Sequence, residues 1–333
     1  MTLALSHITR TFGQRTALDD VSFDIAAGRL TGFVGGNGAG KTTTMRIILG
    51  VLAPDSGTVT WEGQPIDQAQ RHGFGYMPEE RGLYPKMPLR EQLVYFARLH
   101  GLPKESAGER ADELIEALGL TERVKDPIEK LSLGNQQRAQ VAVSLVHDPI
   151  ALVLDEPFSG LDPMAVDTIV SVLSERAARG IPVLLSSHQL DVVERLCDDL
   201  VIIAGGSVRA AGTIADLRAQ HSSSRFRLSA GQDLGWLREV PGIVVTELSG
   251  NDAVFEPASP NTADAAEVAQ GVLRTAMDRG TVHAFTPEAP RLTEIFRDVI
   301  ADEETGQDQG GDSRAPGDPA ARTRRSHTQE DAA

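Results

Sequence analysis

The chain has 333 residues, and its 47 acidic and 32 basic side chains give a formal net charge of −15 at pH 7. Such an acidic body argues against a protein that coats nucleic acid, which needs a basic face, and we expect no nucleic-acid partner. No run of about 18 uninterrupted apolar residues occurs, and the first seven residues lack the charged and apolar regions of a signal peptide. The single Cys197 excludes an intramolecular disulfide.

Residues 1 to about 221 alternate short β-rich runs with longer helical patterns, which predicts an α/β domain around a largely parallel sheet. Three apolar runs bounded by turn residues predict buried strands at 31–34, 151–154 and 182–186. Between the last two lies a predicted helix, for which Asp162 suits the N-cap and Pro163 the first helical position.

The sequence changes character at Arg225, after a short polar linker. Alternating apolar residues predict strands at 225–228, 242–246, 253–255 and 282–285, and helical periodicity covers 263–277 and the segment from 292 to 299. We therefore predict a small α+β domain over residues 225–300. Residues 301–333 contain no large aliphatic or aromatic side chain, so we expect an acidic, disordered tail there.

A glycine-rich segment that follows the first predicted buried strand fits the pattern G-x-x-x-x-G-K-[ST] and opens a predicted helix over 42–49. Glycines let the backbone wrap around phosphates, and the helix N-terminus adds the positive end of its dipole. Lys41 can reach the β- and γ-phosphates, and the Thr42 hydroxyl can ligate Mg²⁺. The candidate nucleotide-binding residues are Gly35, Gly36, Asn37, Gly38, Ala39, Gly40, Lys41, Thr42 and Thr43.

Two carboxylates end the predicted strand at 151–154. Asp155 is the candidate metal-side carboxylate, because a strand of this kind in a P-loop fold places an aspartate near Mg²⁺. Glu156 points elsewhere and is the candidate catalytic base that polarises the attacking water. Histidines such as His72 and His147 have no companion ligands in the sequence and are assigned to surface or core.

Further motifs give the chain its resemblance to a family. Residues 131–138, Leu-Ser-Leu-Gly-Asn-Gln-Gln-Arg, resemble the LSGGQ signature of ABC transporter ATP-binding subunits, and residues 159–162 resemble the D-loop of that family. His188 resembles the switch histidine, Phe12 stands where the family places an aromatic residue against adenine, and Glu79 stands where the Q-loop glutamine belongs. The match covers about residues 2–220, with all motifs in the family's order.

The resemblance implies a fold, a reaction and partners. The implied fold is a P-loop cassette in which a mostly parallel sheet carries an antiparallel β subdomain and a helical subdomain. The implied activity is hydrolysis of Mg²⁺-bound ATP, with Lys41, Glu156 and His188 as catalytic residues and Thr42, Asp155 and Glu79 at the metal. Ser132 suits the N-cap of a predicted helix that runs through Gln137 to Val146. Ser132 and Gly134 would bind the γ-phosphate held by a second copy, so that two cassettes sandwich ATP in a homodimer.

The chain departs from the family pattern at three places. Gly36 replaces a more usual Pro or Ser, and Leu133 and Asn135 replace Gly and Gln in the signature. Glu79 replaces the Q-loop glutamine; a carboxylate can also ligate Mg²⁺, but it adds negative charge near the phosphates.

Residues 78–87 and the region after 225 are similar to bacterial exporter ATPases of the sodium-export and anthracycline-resistance types. That similarity implies a separate transmembrane permease and a peripheral position on the cytoplasmic face of a bacterial membrane. One alternative is a soluble ABC ATPase that acts on the ribosome or on nucleic acid. Another is a P-loop kinase or GTPase, which would leave residues 131–138 and 159–162 unexplained together.

Overall fold

The computed structural model describes residues 2–80, 82–220, 225–258, 262–288, 290–297 and 299, so the predicted linker at 221–224 and tail at 301–333 lie outside it. Its strands are β1 (Thr2–Phe12), β2 (Arg15–Ala26), β3 (Leu30–Val34), β4 (Ser56–Trp61), β5 (Gln64–Pro65), β6 (Phe74–Met77), β7 (Ala151–Leu154), β8 (Val183–Ser187), β9 (Asp199–Ala204), β10 (Ser207–Thr213), β11 (Arg225–Ala230), β12 (Ile243–Ser249), β13 (Asp252–Pro257) and β14 (Val282–Glu288). Its helices are α1 (Lys41–Ile48), α2 (Gln68–His72), α3 (Leu89–Leu99), α4 (Lys104–Ala117), α5 (Leu133–Leu145), α6 (Pro163–Ala178), α7 (Leu190–Leu196), α8 (Ile214–Gln220), α9 (Thr262–Arg279) and α10 (residues 292–297).

A six-stranded sheet with the order β10-β9-β3-β8-β7-β6 forms the centre of the cassette. Strands β9, β3, β8, β7 and β6 run parallel, and β10 pairs antiparallel with β9 at the edge. The predicted largely parallel sheet is confirmed, and the three predicted buried strands lie in β3, β7 and β8. Because parallel strands share one carboxyl edge, the segments that follow β3, β6, β7 and β8 meet there.

Both faces of this sheet are covered. Along β7, Val153 joins one buried apolar cluster, whereas Leu152 and Leu154 join another, as the two-residue repeat of a strand requires. A four-stranded antiparallel sheet, β2-β1-β4-β5, supplies side chains to the first cluster together with α1. Helices α3 to α6 supply the second. The antiparallel and helical subdomains implied by the resemblance are therefore present.

The region from Arg225 folds as a second antiparallel sheet, β12-β13-β11-β14, with α9 packed against it. Its core includes Leu228, Phe255 and Val272, which confirms the predicted α+β character. In contrast, Leu292 and Ile295 of α10 are buried in the cluster that holds the helices of the first region. The chain thus leaves the cassette, builds a small sheet and returns to the cassette core. The exact limits of the domains stay a prediction.

Helix caps follow the sequence signals. Asp162 accepts a hydrogen bond from the Ala165 N–H at the start of α6, and Pro163 occupies the first turn. No helix in the described part of the chain is long and apolar enough to cross a membrane.

Three histidines far apart in the sequence stack together where α2, α3 and α5 end. The rings of His100 and His147 lie 3.7 Å apart and nearly parallel, and His72 lies 5.0 Å from His100. His147 Nε2 bonds to the Phe74 carbonyl at the start of β6. Burial, together with the neighbouring His100 and His72 rings, lowers the pKa of His147 to about 4, against the opposing effects of the hydrogen bond to the Phe74 carbonyl and of Asp148. The stack joins the helical subdomain to the edge of the sheet.

Acid should weaken this junction. Because the pKa of His147 is lower in the folded chain than its value of about 6.5 in an unfolded one, its contribution to stability is complete above pH 6.5 and is lost as the pH falls towards 4. In His147→Gln, the decrease in the free energy of unfolding between pH 7 and pH 4 should shrink by about 3 kcal/mol. Urea unfolding at each pH measures this, with the exposed His283→Gln as control. An unchanged decrease in His147→Gln would show that His147 is not the titrating group.

Candidate nucleotide site

The glycine-rich segment forms a phosphate-sized loop between β3 and α1. Gly38 and Gly40 have φ angles of 78° and 113°, a left-handed region that favours glycine. A Cβ atom on Gly35 would lie 2.4 Å from the Ile203 carbonyl oxygen, so this position admits no side chain. No side chain caps α1, and its first N–H groups therefore stay available for an anion.

Lys41 turns back over this loop. Its Nζ donates hydrogen bonds to the carbonyl oxygens of Gly35, at 2.6 Å, and Gly36, at 3.2 Å. The ammonium group is thus held at the centre of the cradle that Gly36, Asn37 and Gly38 leave exposed.

Asp155 connects three elements at the carboxyl edge of the sheet. It is 1% exposed, and its Oδ2 accepts a hydrogen bond from the Thr42 hydroxyl at 3.0 Å. Its Oδ1 accepts another from the Ser186 hydroxyl at 2.5 Å. Ser186, which sequence reasoning missed, also accepts a hydrogen bond from the Glu156 N–H at 2.9 Å. A buried carboxylate needs such partners, and here they fix α1 and β8 against the end of β7.

Glu156 and His188 are brought together beside Asp155. His188 Nδ1 donates a hydrogen bond to Glu156 Oε2 at 2.9 Å, and the His188 side chain is 57% exposed. Glu156 has a φ of 53°, which is unusual for a residue other than glycine, and its carbonyl accepts a hydrogen bond from Gln137 Nε2. Strained backbone of this kind persists where the surroundings hold it, and it often occurs at functional sites.

Glu79 reaches the same space from the loop after β6, and its side chain is exposed. This loop is tied to α5, because Gln140 Nε2 donates a hydrogen bond to the Pro78 carbonyl at 2.7 Å. On the opposite side, the hairpin between β1 and β2 contributes Phe12, which is 47% exposed, and Arg15. Neither Gln140 nor Arg15 stands out in the sequence.

An open cavity of about 590 Å³, a size suited to a nucleotide, lies between the phosphate loop, the end of β7 and the β1–β2 hairpin. Its lining residues are Phe12, Arg15, Ala17, Gly36, Asn37, Gly38, Gly40, Lys41, Thr42, Thr43, Glu79, Asp155 and Glu156. Gly35 and Ala39 are buried in the wall of the loop behind them. The carboxyl edge of the sheet therefore brings the predicted phosphate loop, Glu79 and the two carboxylates after β7 into one cavity.

Ser132 and Gly134 lie elsewhere. Ser132 is the N-cap of α5, as predicted, with its hydroxyl accepting a hydrogen bond from the Asn135 N–H at 3.3 Å. It is exposed, and neither residue lines the cavity. Leu133, next to it, is 59% exposed. A single chain therefore does not bring the signature segment to its own phosphate loop.

Removing the hydroxyl of Ser186 should weaken the whole edge. Ser186→Ala leaves one oxygen of the buried Asp155 carboxylate and the Glu156 N–H without a partner, which should lower the free energy of unfolding by about 1–3 kcal/mol. The matched control is Ser187→Ala, since Ser187 is equally buried and its hydroxyl accepts a hydrogen bond from the Gln189 N–H rather than contacting Asp155 or Glu156. Denaturant titration compares the two, and an equal or larger loss in Ser187→Ala would contradict this assignment.

Comparison with known proteins shows which family the chain resembles. Residues 18–159 match the ABC transporter family, and residues 212–300 match the C-terminal domain of DrrA1-3-like ATP-binding proteins. The uncharacterized ABC transporter ATP-binding protein YhaQ of Bacillus subtilis (strain 168) is 35% identical over 298 residues, which cover 90% of this chain and 98% of YhaQ. Nod factor export ATP-binding protein I of Paraburkholderia xenovorans (strain LB400) is 36% identical over 248 residues, 73% of this chain and 82% of that protein.

The fold agrees with the sequence. A solved structure of an ATP-binding subunit of an ABC transporter is 32% identical and superimposes with a TM-score of 0.61, covering 66% of this chain and 93% of that one. Similarity over nearly the full length of YhaQ, together with a phosphate loop that opens into a nucleotide-sized cavity, shows that the chain belongs to the ATP-binding subunits of ABC transporters and is an ATPase of that family.

Proposed function

We propose that this chain hydrolyses ATP to drive a membrane exporter, working as a homodimer with a separate permease on the cytoplasmic face of a bacterial membrane. The observation that carries the proposal is the loop after β6. Glu79 at its start lines the nucleotide cavity, and Tyr84 near its end lies on the surface, 48% exposed. We assign to this loop the role of carrying a change at the nucleotide to an outer face.

That outer face is aromatic. Tyr84 packs edge-on against Tyr95 at 5.7 Å, and Tyr95 and Leu99 are 39% and 56% exposed. The Tyr84 N–H donates a hydrogen bond to the buried Gln92 side chain, which couples the loop to α3. Exposed apolar patches of this kind mark protein interfaces, and we assign this one to the permease. The related Nod factor protein is named for export, which supports this direction of transport.

In the proposed site, ATP lies with its base beside Phe12 and its phosphates at the N-terminus of α1. The N–H groups of the loop and Lys41 bind the phosphates, and Thr43 and Gly40 line the same wall. Glu156 acts as the base that orients the attacking water, and His188 holds the Glu156 carboxylate in place. Most of the catalysis then comes from positioning and electrostatic stabilisation.

The residues also fit Mg²⁺. Within the part of the chain that the structure describes, no group of three or more His, Cys, Asp or Glu side chains could hold a metal by itself. Mg²⁺ needs no such group, because it is commonly bound by one or two protein oxygens together with substrate phosphates. The Thr42 hydroxyl and the Asp155 carboxylate supply such oxygens, and Glu79 faces the same cavity. Bound there, Mg²⁺ would neutralise phosphate charge.

The position of Ser132 supports the homodimer. We assign an anion site to its hydroxyl, the Gly134 N–H and the N-terminus of α5, none of which lines the nucleotide cavity of the same chain. A second copy, placed by a twofold axis, supplies the missing phosphates to each chain.

Replacing the base should separate binding from hydrolysis. Glu156→Gln keeps the size of the side chain but cannot accept a proton, so we expect ATP binding to persist and turnover to fall about a hundredfold or more. ATP should then hold Glu156→Gln as a dimer in size-exclusion chromatography with light scattering.

The matched control is Lys41→Ala, which should lose ATP binding and stay monomeric with ATP. Normal turnover in Glu156→Gln would remove Glu156 as the base. Normal turnover in Lys41→Ala would remove the phosphate-loop assignment, and an ATP-bound monomer of Glu156→Gln would contradict the sandwich dimer.

A further inference from the structure

Arg10 lies directly over the ring of Phe12. Its guanidinium carbon is 4.9 Å from the ring centroid, well within the range of a cation–π contact. The two residues are separated by one position on β1, at a point where the register with β2 shifts between Arg10 and Thr11. A planar guanidinium stacks on an aromatic face better than an ammonium does, which suits Arg to this position.

A carboxylate holds Arg10 in this position. Arg10 Nη1 donates a hydrogen bond to Asp55 Oδ1 at 2.6 Å, and the other oxygen of Asp55 accepts one from the Thr11 N–H at 2.7 Å. Asp55 is itself fixed, because its N–H donates to the Thr9 carbonyl at 2.8 Å. The Arg10 side chain is only 25% exposed, although the Phe12 ring that it covers is 47% exposed. The clamp therefore spans three residues of β1 and the turn before β4.

The cavity lining indicates which face of the Phe12 ring is free. Phe12 lines the nucleotide cavity, and Arg15, opposite it in the strand register, lines the cavity as well. Arg10 does not line the cavity. Since Phe12 lines the cavity and Arg10 does not, we place the guanidinium on the ring face turned away from the cavity, which leaves the other face for a ligand.

We propose that Arg10, held by Asp55, is a positioning residue for the nucleotide base: it backs the Phe12 ring so that the free ring face stacks on adenine. The inference rests on the proposed role of Phe12 and adds the reason that this exposed ring keeps one orientation. An exposed phenylalanine loses side-chain freedom when a ligand stacks on it, and a ring already fixed loses less. Arg10 then strengthens binding of the base and leaves the phosphate contacts unchanged.

The test compares two ligands that share phosphates but differ in the base. Isothermal titration calorimetry of the full chain measures the Kd of ATP and the Kd of inorganic tripolyphosphate. Arg10→Gln should raise the Kd of ATP about three- to tenfold, the range expected from losing a cation–π contact and the order of one side chain. The Kd of tripolyphosphate should stay within about twofold, a comparison that also checks that the variant is folded. In ATPase assays the KM for ATP should rise while kcat is kept.

Three variants make the test specific. In a Phe12→Ala background, Arg10→Gln should have no further effect on the Kd of ATP, because the two residues act through one contact. Arg10→Lys keeps the cation and should recover part of the lost affinity. Arg29→Gln removes an ion pair with Asp199 that lies away from the cavity lining, and it should leave both Kd values unchanged.

Each contrary result has a distinct meaning. An equal loss of ATP and tripolyphosphate affinity in Arg10→Gln, or a loss that persists without Phe12, would overturn the positioning role. If Phe12→Ala weakens ATP binding and Arg10→Gln does not, the positioning role of Arg10 fails, and the stacking of adenine on Phe12 stands. If Phe12→Ala leaves the Kd of ATP unchanged, the proposed stacking of adenine on Phe12 fails and the role of Arg10 fails with it.

Discussion

The buried carboxylate of Asp155 is the constraint on which the rest of the site depends. A charge that is 1% exposed is costly unless hydrogen bonds replace water, and the two that replace it come from Thr42 and Ser186. Thr42 belongs to the first turn of α1, and Ser186 belongs to β8, so one carboxylate fixes the phosphate loop relative to two parallel strands. Ser186 also holds the Glu156 N–H. The metal-side group and the proposed base are therefore positioned by the same hydroxyl.

The same edge of the sheet carries the part of the proposed site that one chain supplies. It gathers the phosphate loop, both carboxylates, His188 and Glu79, while the β1–β2 hairpin adds Phe12 from the opposite side. Ser132 caps α5 on an exposed surface and contributes nothing to the cavity of its own chain. In the proposed function this division makes hydrolysis depend on a second cassette, and the aromatic face beyond Glu79 is the proposed contact with a permease. The return of α10 to the cassette core shows that the C-terminal sheet is attached at both ends.

The sequence predicted what local chemistry determines. Apolar runs predicted the strands β3, β7 and β8. The residue types of Ser132 and Asp162 predicted two helix N-caps, and the glycine pattern predicted the phosphate loop. It missed the contacts that depend on strand order. Ser186 is 31 residues from Asp155, and only the β7–β8 pairing brings them together. The stack of His100 on His147 and the clamp of Asp55 on Arg10 have the same origin, since side-chain periodicity does not say which elements become neighbours.

Mixing two inactive variants tests the shared site most directly. Lys41→Ala damages the phosphate loop, and Ser132→Asp places a negative charge at the anion site while keeping a good N-cap for α5. A mixed dimer of these chains holds one damaged and one intact site. Since half of the dimers are mixed at equal amounts, a site shared between two chains should restore about a quarter of the wild-type ATPase rate. A rate equal to the mean of the two variants measured alone would contradict it.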